Sequence, residues 1–153
     1  CINDYAATAP YGNLEPPFDL CELAKAAGAS YVARSTTFYA TSAPALVAKG
    51  IQNKGFSLID IICACPIYYG KMNRFTDTVE MLKWQRDSAR NIKQWSMLNE
   101  EEKKGKFVIG ELHSKPAEEY SEKYQKLIER EKLRHAKELA IKSAEAEAKP
   151  EEE

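Results

Sequence analysis

The chain has 153 residues, of which 44% are hydrophobic and 29% charged, and its formal net charge is −1 at pH 7. That length suits one domain with a real core, and the balanced charge lacks the concentrated basic face that nucleic-acid binding needs. No apolar run approaches the length of a bilayer span and no secretory signal is visible, so neither nucleic acid nor membrane is expected as a partner.

Cys1 to Pro17 shows no periodicity and holds turn and extended signals, Ala9-Pro10-Tyr11-Gly12-Asn13 and Glu15-Pro16-Pro17. Phe18 to Ala27 reads as a helix, with Leu20, Leu23, Ala24 and Ala27 at three- and four-residue steps and Gly28 placed to end it. Tyr31-Val32-Ala33 is a short strand. Ser42 is the expected N-cap of a helix that carries Pro44 in its first turn, runs to about Asn53 and stops at Gly55. Ser57 to Ile62 then reads as a buried strand, from its β-branched content and its length. Helix and strand alternating through such short joins predict βαβ units and a parallel sheet. Two strands are too few for a stable sheet, so completion is expected from residues outside this sequence or from Lys106 to Leu112.

Asp77 is expected to cap a helix through about Asn91, with Val79, Leu82 and Trp84 partly buried. Glu100 to Lys104 reads as a short charged helix or turn. From Pro116 onward Tyr120, Tyr124, Leu127 and Ile128 form an apolar stripe at helical spacing, which suggests docking on a body or a partner. Beyond Glu131 the stripe thins into a solvated charged helix, and Pro150 with the last glutamates is expected to be disordered.

Four cysteines without a secretory signal are read as reduced thiols in the cytoplasm. A Cys-x-Cys pair, Cys63 and Cys65, ends the second strand; if extension persists, both thiols share a face and can join a metal site. The alternative is that Cys63 is a small core hydrophobe. A self-contained zinc site wants four ligands in close pairs, and only one such pair is present. His113, in a polar loop after a strand, and His135, on the charged helix, read as surface residues. Lys25, Arg34 and Lys71 are candidates to meet an acidic ligand. No nucleophile elbow, phosphate-binding glycine loop or His-Glu zinc motif occurs.

The block Thr8-Ala9-Pro10-Tyr11-Gly12-Asn13-Leu14-Glu15-Pro16-Pro17-Phe18-Asp19-Leu20-Cys21-Glu22-Leu23-Ala24 resembles the matching segment of the β subunit of 2-oxoacid:ferredoxin oxidoreductases. So do Ala26 to Arg34, Lys54-Gly55-Phe56-Ser57 and Cys65-Pro66-Ile67-Tyr68-Tyr69-Gly70, and the last block is closest to the 2-oxoglutarate type. The resemblance runs in order over residues 8 to 128. It implies an α/β fold, the C-terminal part of a thiamine-diphosphate-binding fold, with a parallel sheet flanked by helices and a long C-terminal helix. The implied domains are residues 1–112 for that part, 113–130 for a docking helix and 131–153 for the charged tail.

The same resemblance implies CoA-dependent oxidative decarboxylation of a 2-oxoacid, with electrons passed through [4Fe-4S] clusters to ferredoxin. The implied cofactors are thiamine diphosphate, Mg2+ and a [4Fe-4S] cluster. The implied partners are an α subunit, the N-terminal half of the β subunit, ferredoxin, a 2-oxoacid and coenzyme A. Cys65 matches the fourth cysteine ligand of the β-subunit cluster, whose other three lie early in that subunit. Tyr11, Gly12 and Asn13 are placed on the cofactor side, Cys63 is left as a core residue and Cys21 as a helix packing position. The family's Gly-Asp-Gly diphosphate motif does not occur in this sequence, so the chain is expected to be a fragment or one piece of a split subunit, inactive alone. Pyruvate or a branched-chain 2-oxoacid is an alternative substrate; a non-catalytic assembly module and a small thiol–metal protein are the rival readings.

Overall fold

The computed structural model describes residues 2–75 and 77–147, with side chains described through residue 144. It divides into two compact units, one ending at Ala117 and the other beginning at Glu118. In the first, α1 (Leu20–Ala26), β1 (Tyr31–Thr36), α2 (Ala43–Gln52) and β2 (Ser57–Ile62) are followed by α3 (Thr78–Ser88), β3 (Ala89–Asn91), α4 (Ile92–Met97), α5 (Glu100–Lys103) and β4 (Phe107–Ser114). The four strands form one sheet in the order β2-β1-β4-β3.

Local chemistry explains most boundaries. Asp19, in extended conformation, caps α1 by accepting the backbone N–H groups of Cys21 and Glu22. Asp77 caps α3 through Glu80 N–H. Asn91 and Asn99 each start a helix with a reciprocal capping box, to Gln94 and to Glu102. Ser42 precedes α2 without such a bond; its hydroxyl donates to the Tyr39 carbonyl instead. After α2 the chain must reverse at once into β2, and Gly55 does so at φ +100°.

All six residues of β1 are buried. The core is built from Cys21, Ala24, Ala29 and Val32, with Leu58 and Leu112 packed against it. β1 pairs with β2 in parallel, in the register Tyr31–Ser57 to Thr36–Ile62. β3 and β4 are also parallel, but β1 and β4 run antiparallel. The expected parallel pairing is thus present on both sides of an antiparallel seam, and the sheet is mixed. Across that seam the register passes from Val32–His113 to Ala33–Glu111. The residue skipped is Leu112, which the bulge leaves free to pack on the core.

Several expectations are corrected. β2 is half-buried rather than buried, because it lies at the edge of the sheet and only one side has a neighbour. The helix expected through Asn91 stops at Ser88, where the chain straightens into β3. Within α3 Leu82 and Trp84 are partly buried as expected, whereas Val79 is exposed and the fully buried positions are Met81, Gln85 and Ser88. His113 lies in β4 rather than in a loop.

In the second unit, α6 (Tyr120–Glu147) is one continuous helix. The Glu119 carboxylate accepts the N–H groups of Ser121 and Glu122 at its start. Arg134 pairs with Glu131 and Glu138 along its surface, and the rings of Tyr120 and Tyr124 stack with centroids 6.0 Å apart. The terminal disorder expected from Pro150 onward lies outside the described residues. Among the described residues no helix is long and apolar enough to cross a membrane.

A methyl group at Gly55 would lie 2.6 Å from Ser30 Oγ, a hydroxyl that donates to the carbonyls of Lys54 and Phe56. Adding the left-handed backbone penalty, Gly55→Ala is expected to destabilise the fold by at least about 1–2 kcal/mol. Chemical denaturation of the two proteins measures this, and equal midpoints would refute the steric account.

Candidate functional site

The carboxyl ends of β1 and β2 open onto a cavity of about 700 Å³. Its lining includes Arg34 and Asp60 from the sheet, Cys63 just beyond β2, Trp84 and Gln85 from α3, and Trp95 from α4.

Arg34 anchors this region. Its guanidinium is 9% exposed and lies between two carboxylates, donating from Nε to Asp60 Oδ2 at 2.8 Å and from Nη2 to Asp19 Oδ1 at 2.8 Å. Register makes the first contact, since Arg34 and Asp60 are direct partners on adjacent parallel strands. Helix capping makes the second, since the same Asp19 oxygen accepts the N–H groups of Cys21 and Glu22. Burial alone would lower the Arg34 pKa, yet the two carboxylates hold it above its ordinary value. Burial likewise opposes ionisation of Asp19, but Arg34 and the helix amides outweigh it and keep that carboxyl below its usual range. Cys21, fully buried beside this group, has its thiol pushed up to about 11 by burial. It is an inert packing residue, as expected.

Gln85, 1% exposed, joins three segments. Its Oε1 accepts Thr37 Oγ1 at 3.1 Å and Phe38 N–H at 2.9 Å, and its Nε2 donates to the Ile62 carbonyl at 3.2 Å. The chain just past β1 and the last residue of β2 are therefore held to α3 by one amide. Nearby, the buried Thr36 hydroxyl has no hydrogen-bond partner among the described residues.

Beyond β2 the chain leaves the ladder at Cys63 and enters a wide turn, Pro66–Gly70, closed by i→i+5 bonds. The Cys65 carbonyl accepts from Tyr69 N–H at 3.1 Å and Gly70 N–H at 2.9 Å. A side chain at Gly70 would meet Met81 Sδ at 2.9 Å, so the turn packs closely on α3. Cys63 and Cys65 are both free and exposed. The placement of Cys63 in the core is corrected, because it follows an edge strand and sits at the cavity rim. Tyr69 donates to Asp4 Oδ2 at 2.6 Å, and burial together with that bond raises the phenol pKa, which keeps the proton on Tyr69.

Tyr11 is 97% exposed, Gly12 has φ +98° and Asn13 is half-buried. Asn13 N–H donates to the Asp4 carbonyl at 2.8 Å and its carbonyl accepts Asn3 N–H at 2.7 Å. The turn and the Cys65 loop are thereby brought together through Asp4 and Tyr69. Reading the sequence missed Asp19, Asp60, Gln85 and Asn73 as organising residues. Asp60, the one charge inside Ser57-Leu58-Ile59-Asp60-Ile61-Ile62, was a usable signal, because a charge in an apolar strand needs a partner.

Among the described residues no three His, Cys, Asp or Glu side chains converge on a metal position. The thiols therefore fit an iron–sulfur cluster only as single ligands beside others from elsewhere. The same donor set does not make a Mg2+ site.

No family model matches the chain. It is 42% identical over 125 residues to the 2-oxoglutarate synthase subunit KorB of Methanothermobacter thermautotrophicus, a span of 82% of this chain and 44% of that protein. Against the KorB subunit of Methanocaldococcus jannaschii the identity is 41% over 125 residues, 82% of this chain and 46% of that protein. The chain is a homologue of part of KorB. The family resemblance drawn from Thr8–Ala24 and Cys65–Gly70 is borne out, including its 2-oxoglutarate flavour. The chain spans less than half the length of these KorB relatives. The fold agrees as well: 2-oxoglutarate:ferredoxin oxidoreductase from Magnetococcus marinus superposes with a TM-score of 0.65 at 20% identity, over 97% of this chain and 51% of that one.

Arg34→Ala removes two charge-assisted hydrogen bonds but leaves carboxylates that water can reach, so it is expected to lower unfolding stability by about 1–3 kcal/mol. Arg34→Lys should not restore it, because one ammonium cannot fork to both carboxylates; full recovery in denaturation curves would contradict the forked geometry. The Asp19 contribution is present above its unfolded value of about 4 and is lost as pH falls through the lower folded value. Asp19→Asn, which keeps the capping oxygen, should therefore flatten the decline of melting temperature on acidification.

Proposed function

We propose that this chain is part of a KorB-type subunit of a 2-oxoglutarate:ferredoxin oxidoreductase, in which Cys65 supplies one thiolate to a [4Fe-4S] cluster. The observation that carries the reading is the position of Cys65: an exposed thiol on a braced turn past the carboxyl end of a parallel strand, where open α/β sheets place their ligands. The relatives supply the rest. The KorB proteins are named for 2-oxoglutarate synthase, and the Magnetococcus enzyme is described with 2-oxoglutarate, coenzyme A and succinyl-CoA bound.

The overall chemistry would convert 2-oxoglutarate and coenzyme A to succinyl-CoA and carbon dioxide, releasing two electrons and a proton. Bound thiamine diphosphate would supply the electron sink that decarboxylation needs, and an iron–sulfur cluster would supply one-electron transfer. The work of this chain is positional. Cys65 holds iron, the wide turn and Met81 fix where its sulfur stands, and Gln85 keeps the strand ends aligned beneath it. Tyr11, Gly12 and Asn13 present a polar turn on the cofactor side, with Mg2+ held by residues outside this sequence.

The open edge of β2 supports a place in a larger assembly. Edge strands in isolated proteins are blunted by lysine, proline or bulges, whereas the sole charge here, Asp60, is taken up by Arg34. We assign that edge to the remainder of the KorB-type subunit, alongside an α subunit and ferredoxin as further partners. The free thiols suit a reducing compartment such as the cytoplasm.

In the assembled complex Cys65→Ser should abolish CoA- and 2-oxoglutarate-dependent viologen reduction and lower iron content, while thiamine diphosphate remains bound. Cys63→Ser should leave iron and activity near wild type. Unchanged iron in the Cys65 variant removes the ligand assignment, and stoichiometric zinc on the isolated chain would favour the thiol–metal alternative.

A further inference from the structure

We infer that Asn73 is a positioning residue that locks the turn carrying Tyr11, Gly12 and Asn13 onto the Cys65 loop, so that both reach the cofactors as one unit. The inference rests on the roles proposed above for Cys65 and for that turn. Asn73 Oδ1 accepts the Tyr5 N–H at 2.8 Å, and its Nδ2 donates to the Tyr5 carbonyl at 2.9 Å and to the Tyr69 carbonyl at 2.9 Å. One side chain thus satisfies both backbone groups of a residue 68 positions away, as a neighbouring strand would. Its own base is fixed, because Asn73 N–H donates to the carbonyls of Tyr69 at 3.0 Å and Gly70 at 3.2 Å.

A second tie runs beside the first. Tyr69 holds the Asp4 carboxylate, the Asp4 carbonyl accepts Asn13 N–H, and Tyr69 N–H donates to the Cys65 carbonyl. Cys65 and Asn13 are therefore connected through hydrogen bonds between two stretches that have no regular ladder between them. Loops set site geometry loosely unless a supporting shell holds them. The amide is the group that serves, because it has donors and an acceptor on one short stem, whereas an ionised carboxylate has acceptors only.

Hydrogen–deuterium exchange on the full chain tests the clamp. Asn73→Ala should speed exchange of the Tyr5 and Asn13 amides by about tenfold, the loss of a hydrogen bond or two, with the β1 amides still protected. It should also change the alkylation rate of Cys65 relative to Cys63. Asn73→Asp, which keeps the acceptor for Tyr5 N–H, should restore part of the Tyr5 protection. Should Asn73→Ala unfold the chain, Asn73→Asp decides, since it removes both Nδ2 donations and must speed exchange at Asn13 without exposing β1. Unchanged exchange at Tyr5 and Asn13 overturns the clamp. Iron retained in the assembled Cys65→Ser variant, with the clamp behaving as expected, sinks the cluster reading alone.

Discussion

The contact on which this architecture turns is the forked ion pair of Arg34 with Asp19 and Asp60. Each carboxylate belongs to a different element, one capping α1 and the other standing in β2, so a single guanidinium fixes a helix end against two strands. A charge with so little exposure is tolerable only when its donors are matched in this way. Arginine is needed because its planar fork addresses two acceptors from one buried position.

The core beneath it is small, and the molecule compensates with polar joints. Ser30 receives Asn53 Nδ2 and bonds the carbonyls of Lys54 and Phe56, gathering the amino ends of β1 and β2. Gln85 does the corresponding work at the carboxyl ends. Between these joints β1 is buried along its whole length, whereas β2 keeps one side open. That asymmetry gives the candidate site its form: a fixed strand supplies Arg34, and the edge strand ends in two exposed thiols, of which Cys63 lines the cavity.

The Cys65 turn shows how a loop acquires precision without regular structure. Gly70 allows close contact with Met81, the turn closes on the Cys65 carbonyl, and Asn73 with Tyr69 ties in the distant amino-terminal segment. On the role proposed for Cys65, such bracing would hold its sulfur in place as a loop by itself would not. The buried Cys21, by contrast, sits among carboxylates and apolar atoms, where a thiolate is disfavoured.

Local chemistry alone determined the start of α3 at Asp77, the reversal at Gly55 and the strand Ser57–Ile62, because caps, glycines and β-branched runs act within a few residues. The motif Cys65-Pro66-Ile67-Tyr68-Tyr69-Gly70 was readable for the same reason, together with the homology it marks. Tertiary structure decided that β4 joins β1 antiparallel, that β2 is an edge and Cys63 exposed, and that α3 buries Met81 and Gln85 rather than Val79. It also decided which acids Arg34 meets and that Asn73 reaches Tyr5. Those outcomes depend on residues far apart in the chain, such as Arg34 with Asp19, Asn73 with Tyr5 and Tyr31 with Ser114, and contacts over such separations are set by packing and register, which no local pattern encodes.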